Sequence, residues 1–146
     1  ILADEGISFL YHNHNVELVR LRDNGERVYS FIMRNTDPEA LNFEFDSYWF
    51  ADGGANVSEW MELLGTRMRS WHINDRGSRL NGKAMTPIIK EDSMELGYGN
   101  LPLEKWTEIA KANGTDTVVL ESHRNHIDGD PLKSIRLSAA FINRIF

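Results

Sequence analysis

Apolar residues recur along this chain in two periods, every second position in some stretches and every third or fourth in others, and the two kinds of stretch alternate. Side chains of one parity share a face of a strand, whereas residues three and four apart share a face of a helix. In 7–13, Ile7, Phe9 and Tyr11 fall on one parity, and Ser8, Leu10 and His12, with His14 beyond, on the other. This predicts a first strand whose two histidines point the same way. In 41–46, Leu41, Phe43 and Phe45 make an apolar face and Asn42, Glu44 and Asp46 a polar one. Residues 68–73 predict a third strand and 117–121 a fourth, the most β-prone stretch of the chain.

Helical spacing fills the gaps. Val28, Phe31 and Ile32 predict a helix over 26–35 that ends before Asp37-Pro38. Val57, Trp60, Met61 and Leu64 predict another over 57–64, stopped by Gly65 after a loop at 51–54. A third runs over 103–112, with Pro102 in its first turn and Asn113-Gly114 at its end. Asp130 and Pro131 suit the N-cap and first position of a last helix that reaches residue 146. Residues 1–5 read as helical up to Gly6, and 16–22 as a loop or hairpin extension before the Asn24-Gly25 turn. The longest irregular segment is 76–100, where Gly97 and Gly99 suit positive φ.

Strand then helix, four times over, implies an α/β fold with parallel strands and outer helices. No strand is followed by a glycine-rich phosphate loop, so dinucleotide-binding and P-loop folds have no support. Four such units are half of a (β/α)8 barrel, and 1–146 is expected to form a single, incomplete domain of that kind. In such barrels the chemistry sits at the C-terminal ends of the strands.

Composition narrows the classes. With 146 residues, 41% hydrophobic and 26% charged, the chain is ordinary for a globular domain. A net charge of −6 argues against nucleic acid as a partner. No run approaches a membrane span, so no membrane partner is expected. Cysteine is absent, which excludes thiolate metal sites and fits a reducing compartment; the cytoplasm is the expected location. The chain opens at Ile1 in a segment that reads like the tail of a helix, so an upstream half-barrel is expected, or a second copy that closes the structure.

All four predicted strands end in a potential metal ligand of consistent parity: His12, Asp46, His72 and Glu121. Each alone is an ordinary solvated group. Together, two histidines and two carboxylates suit a borderline divalent ion, Mn²⁺, Zn²⁺ or Co²⁺, with positions left for substrate oxygens. On the opposite parity Phe9, Phe45, Trp71 and Leu120 are expected to face helices. Tyr48, Trp49 and Trp71 are candidates for stacking on a sugar face, and His123 and His126 follow the last strand. Arg76, Arg79, Lys83 and Arg124 are scattered basic residues, read as solvated rather than as an anion site.

Five segments recur in one order over nearly the whole chain: Tyr11-His12-Asn13-His14 with Glu17, Phe45-Asp46-Ser47-Tyr48-Trp49, Trp71-His72-Ile73-Asn74-Asp75, Leu96-Gly97-Tyr98-Gly99-Asn100 and Val119-Leu120-Glu121. In these the chain resembles the sugar phosphate isomerase/epimerase family of xylose isomerase-like TIM barrels. The resemblance implies strands five to eight of the barrel and one Mn²⁺-like ion held by Glu, Asp, His and Glu at their ends. Asp46, His72 and Glu121 match the last three ligands. The strand-five tip departs from the pattern, with His-Asn-His and no glutamate, so that ligand is carried over to His12, with His14 as the alternative. The implied activity is isomerisation or epimerisation of a sugar, keto-sugar or sugar phosphate by proton abstraction beside a metal-chelated carbonyl. Glu121 would move the proton with His12, His14 or Glu17 as its partner, and Trp49, Asp75 and His123 would contact the substrate. Three other readings remain open: a keto-sugar lyase or dehydratase on the same site, a metal phosphodiesterase like the apurinic endonucleases, and a non-catalytic sugar-binding module.

Overall fold

The computed structural model describes residues 2–80 and 88–146; Lys83 lies outside the described residues. In chain order the elements are β1 (Leu10–His12), α1 (Val28–Arg34), β2 (Asn42–Asp46), α2 (Ser47–Asp52), α3 (Val57–Leu64), β3 (Met68–Ile73), β4 (Asp75–Gly77), β5 (Asp92–Met94), α4 (Leu103–Ala112), β6 (Thr117–Leu120) and α5 (Pro131–Ile145). Four strands form one sheet in the order β1-β2-β3-β6, and β4 pairs with β5. The β1–β2 and β2–β3 pairs are parallel. The chain divides into two compact units, Ile1–His72 with Glu108–Val119, and Ile73–Thr107 with Leu120–Phe146.

The first unit is built on the buried side chains of β2 and β3. Phe43, Phe45, Met68 and Trp71 are fully buried. Tyr29 of α1 packs among Phe43, Phe50 and Trp60, with ring centroids 5.3, 4.9 and 5.5 Å away. Each such burial removes a large apolar surface from water and is worth about 1.5–3 kcal/mol. Arg67, just before β3, ties the end of α1 to the start of β2. It donates to the carbonyls of Met33 and Leu41 and to the Thr36 hydroxyl, and its guanidinium lies 4.9 Å from the Phe43 ring centroid. A cation at the carbonyl end of a helix is favoured by the helix dipole.

The second unit is organised by Asp75. Its Oδ1 accepts from the backbone N–H groups of Arg76 and Leu101, and its Oδ2 from those of Gly97 and Gly99. Burial pushes this carboxyl above its ordinary range, while the four N–H donors pull it the other way. Gly97 adopts φ +80°, as expected, and a Cβ there would lie 2.4 Å from the Phe141 ring. Gly99 is different. Its φ is not in the left-handed region, and glycine is required by close approach, since a Cβ would lie 2.3 Å from Asp75 Oδ1. Glu95 is likewise consumed, accepting from Ser134 Oγ at 2.5 Å and from the Ile127 N–H while pairing with Arg79. Asp130 caps α5 by accepting from the N–H groups of Leu132 and Lys133, with Pro131 at the first position.

Three expectations are corrected. β1 covers Leu10–His12 and not 7–13, so Phe9 precedes the paired strand and is 52% exposed instead of facing a helix. The turn after β2 is the helix α2, which already includes Ala51 and Asp52. The segment 76–100 contains the antiparallel β4–β5 pair, in which Asp75 faces Met94 and Gly77 faces Asp92. Residues 16–22 do form a hairpin-like extension, closed by a bridge between Arg20 and Arg27.

Asp75→Ala strands four backbone N–H groups. Each buried, unsatisfied donor costs roughly 1–3 kcal/mol, so amide exchange at Gly97, Gly99 and Leu101 is expected to accelerate by about 100-fold or more. Exchange at wild-type rates would contradict the clamp.

Candidate metal centre

β2 ends in Asp46, and the chain turns there directly into α2. The turn is set by Asp46 itself, whose Oδ1 accepts from the Trp49 N–H at 3.0 Å as the N-cap of α2. Its Oδ2 faces His72 Nδ1 at 4.0 Å. A second constraint comes from Asn13, which is fully buried. The Asn13 amide donates to the Asp46 carbonyl at 2.9 Å and its oxygen accepts from the Asp46 N–H at 2.9 Å. A side-chain amide thus mimics one more rung of the parallel ladder beyond the last β1–β2 pair, His12 with Glu44.

This explains the His-Asn-His order. The middle residue locks the strand tips together, and the residues on either side carry imidazoles to the other face. The His12 ring stands 4.8 Å from that of His14 and 4.7 Å from that of His72. His14 is exposed and its ring lies 5.2 Å from the half-buried Trp49. His72 sits opposite Asp46 in the β2–β3 register. Its Nε2 lies 3.1 Å from Glu44 Oε1, which also accepts from Ser70 Oγ at 3.2 Å.

In the second unit, Glu121 directly follows β6 and its N–H donates to the Ile73 carbonyl at 3.1 Å. Its Oε1 lies 2.8 Å from Nε2 of the exposed His123. Within the first unit, one donor atom from each of His12, Asp46 and His72 lies within 4.8 Å of the others, a group that could hold a metal ion. The donor set of imidazole and carboxylate fits a borderline divalent ion.

Other sequence candidates are placed differently. Glu17 is buried, accepting from Tyr11 Oη at 2.8 Å and from the His14 N–H at 2.9 Å, so both oxygens hold the turn that presents His14. The Asp75 oxygens are engaged with backbone N–H groups of its own unit. Arg76, Arg79 and Arg124 each pair with a carboxylate, of Glu91, Glu95 and Asp92 respectively. Sequence reasoning missed the roles of Asn13 and Glu44. The signals were present, an amide between two histidines and a second carboxylate on the parity of Asp46.

Burial, the hydrogen bond to Glu17 and its negative charge push the Tyr11 phenol up to about 12. Folding therefore raises this pKa from its ordinary value of about 10. The associated stability is complete below pH 10 or so and is lost as pH rises toward 12. A spectrophotometric titration, read as wild type minus Tyr11→Phe, is expected to show this late step. Glu17→Gln should return it toward 10, and a wild-type Tyr11 that titrates at its ordinary value would refute the contact.

No family model and no curated protein sequence matches the chain. Solved structures do. A sugar phosphate isomerase/epimerase from Parabacteroides distasonis is 25% identical, and the match covers 96% of this chain and 47% of that one at a TM-score of 0.75. A second such structure from the same organism is 25% identical over 95% of this chain and 46% of that one, at 0.76. A D-tagatose 3-epimerase-like protein, 19% identical, covers 99% of this chain with 50% of its own length at 0.60 and bears on the fold alone. Among the described residues no helix is long and apolar enough to cross a membrane. The chain spans about half the length of these barrel structures, and its α/β fold is that of the sugar phosphate isomerase/epimerases, the family its motifs resemble.

Proposed function

We propose that this chain carries the metal-holding half of an isomerase or epimerase active site that acts on a sugar, keto-sugar or sugar phosphate. The observation that carries the reading is the convergence of His12, Asp46 and His72 donor atoms within 4.8 Å in the first unit. These three, with Glu121 as the proposed fourth ligand, would hold one divalent ion, with Mn²⁺ first and Zn²⁺ or Co²⁺ as alternatives. Bound there, the ion supplies Lewis-acid polarisation of a carbonyl and its neighbouring hydroxyl, which acidifies the C–H between them.

The residues divide the remaining work. Glu121 takes the proton as general base, and the nearby His123 imidazole, 2.8 Å from its Oε1, keeps that carboxylate oriented. His14, exposed beside His12, is the partner that returns or relays a proton. Trp49 offers an apolar ring to one sugar face next to His14. Glu17 acts on catalysis by holding the His14 turn. β1 stands at one end of the sheet order, so a further strand, from an upstream half-barrel or from a second copy, would extend the sheet there.

The test is solvent deuterium exchange into a panel of keto-sugars and their phosphates, with the complete protein and added Mn²⁺ or Co²⁺. Metal-dependent deuterium incorporation next to the carbonyl is expected, and Glu121→Gln should lower its rate by about 10²–10⁴-fold. No exchange into any member of the panel, with metal bound, would refute the reading.

A further inference from the structure

We infer that the cavity bounded by Arg79, Leu80 and the loop 125–129 is a subsite for the neutral, hydroxyl-bearing end of the substrate, so that the sugar is unphosphorylated at that end. The assignment to the substrate rests on the proposed sugar reaction. All of these residues lie in the second compact unit with Glu121, and the loop begins two residues after His123. The cavity measures about 630 Å³, within the range of about 300–1,000 Å³ in which small-molecule sites fall.

The wall of this cavity is braced from behind. Glu95, 4% exposed, accepts from the Ile127 N–H at 2.9 Å and from Ser134 Oγ at 2.5 Å, and it pairs with Arg79. Arg79 in turn donates to the Asn125 carbonyl, and Asn125 Nδ2 donates to the Ser93 carbonyl at 2.7 Å. These bonds hold a loop with two non-glycine residues in the left-handed region, Asn125 at φ +59° and Asp128 at φ +54°. Such residues persist where their surroundings over-determine them, and they cluster at ligand clamps.

The ligand class follows from charge and hydrogen bonding. The two charged side chains that line the cavity each have a counter-ion, Arg79 in Glu95 and Asp128 in Lys133. A phosphate there would lose hydration without meeting an uncompensated arginine or lysine among the described lining residues. Hydroxyl groups are served better, because each one both donates and accepts. Asn125 commits its amide nitrogen to Ser93, so it meets a ligand as an acceptor. His126 Nδ1 is buried with no hydrogen-bond partner among the described residues, which costs stability until a partner arrives. The ring is half-buried at the cavity wall, and the broad χ2 well of histidine lets Nδ1 turn toward a ligand. A sugar hydroxyl supplies the partner in either tautomer, and Leu80 and Ile127 offer apolar surface to the C–H groups.

The experiment follows backbone amide NMR shifts of the full chain, without metal, during titration with D-fructose and, separately, with inorganic phosphate. Saturable shifts are expected across the loop 125–129 with D-fructose, while inorganic phosphate leaves those signals in place. His126→Ala should weaken D-fructose binding by roughly 2–10-fold, the worth of one hydrogen bond. Saturable loop shifts with inorganic phosphate, or wild-type D-fructose affinity in His126→Ala, would overturn the inference. So would the absence of loop shifts with D-fructose in the wild type, a result that stands even if His126→Ala fails to fold. Loop shifts with D-fructose in a protein that catalyses no deuterium exchange would keep the cavity as a sugar site and remove the isomerase reading. Exchange without loop shifts would do the reverse.

Discussion

Both hydrogen-bonding ends of the Asn13 amide go to one residue, the backbone N–H and carbonyl of Asp46. Much of the site depends on that pairing. Strand tips are where a ladder frays, because the last residues have neighbours on one side only. A buried side chain that supplies the next rung removes that freedom for β1 and β2 together. Left unmade, the contact would strand two backbone groups and an amide away from water, each at roughly 1–3 kcal/mol. The tip is thereby held in one arrangement before any ligand binds, which is what a preorganised site requires.

Asp46 then serves two structural demands with separate atoms. One oxygen caps α2 and the other faces His72. The cap spends half of the carboxylate on fixing its own orientation, so the remaining oxygen points in a defined direction. His72 is treated alike, with one nitrogen at Glu44 and the other toward Asp46. In both residues the two ends of the functional group face different neighbours, which fixes its orientation.

Much of this was readable in the chain because β2 alternates cleanly and Trp71 and His72 fall on opposite faces of β3. Phe43, Phe45 and Trp71 are buried on one side and the polar set on the other, so strand, face and ligand parity came together. Helices with marked stops were equally legible, as with α3 before Gly65 and α5 after Asp130-Pro131. What was hidden depends on contacts distant in sequence. Ser-Tyr-Trp-Phe-Ala-Asp has no strong helix former besides alanine, and α2 starts only because Asp46 caps it. Asp-Arg-Gly and Asp-Ser-Met carry no alternation, and β4 and β5 are found by their pairing with each other. Asp75 reads as a free carboxylate after a strand until Gly97 and Gly99, more than twenty residues on, bring their N–H groups to it.

The most direct test of the central claim is metal content per chain, measured by elemental analysis on wild type and Asp46→Asn after loading with Mn²⁺ and removal of excess. Asparagine keeps an acceptor for the Trp49 N–H and leaves the backbone bonds to Asn13 intact, so the fold is retained while the anionic ligand is lost. The account predicts about one divalent ion per wild-type chain and little in the variant. A wild type that retains no ion, or a variant that retains as much as the wild type, would contradict it.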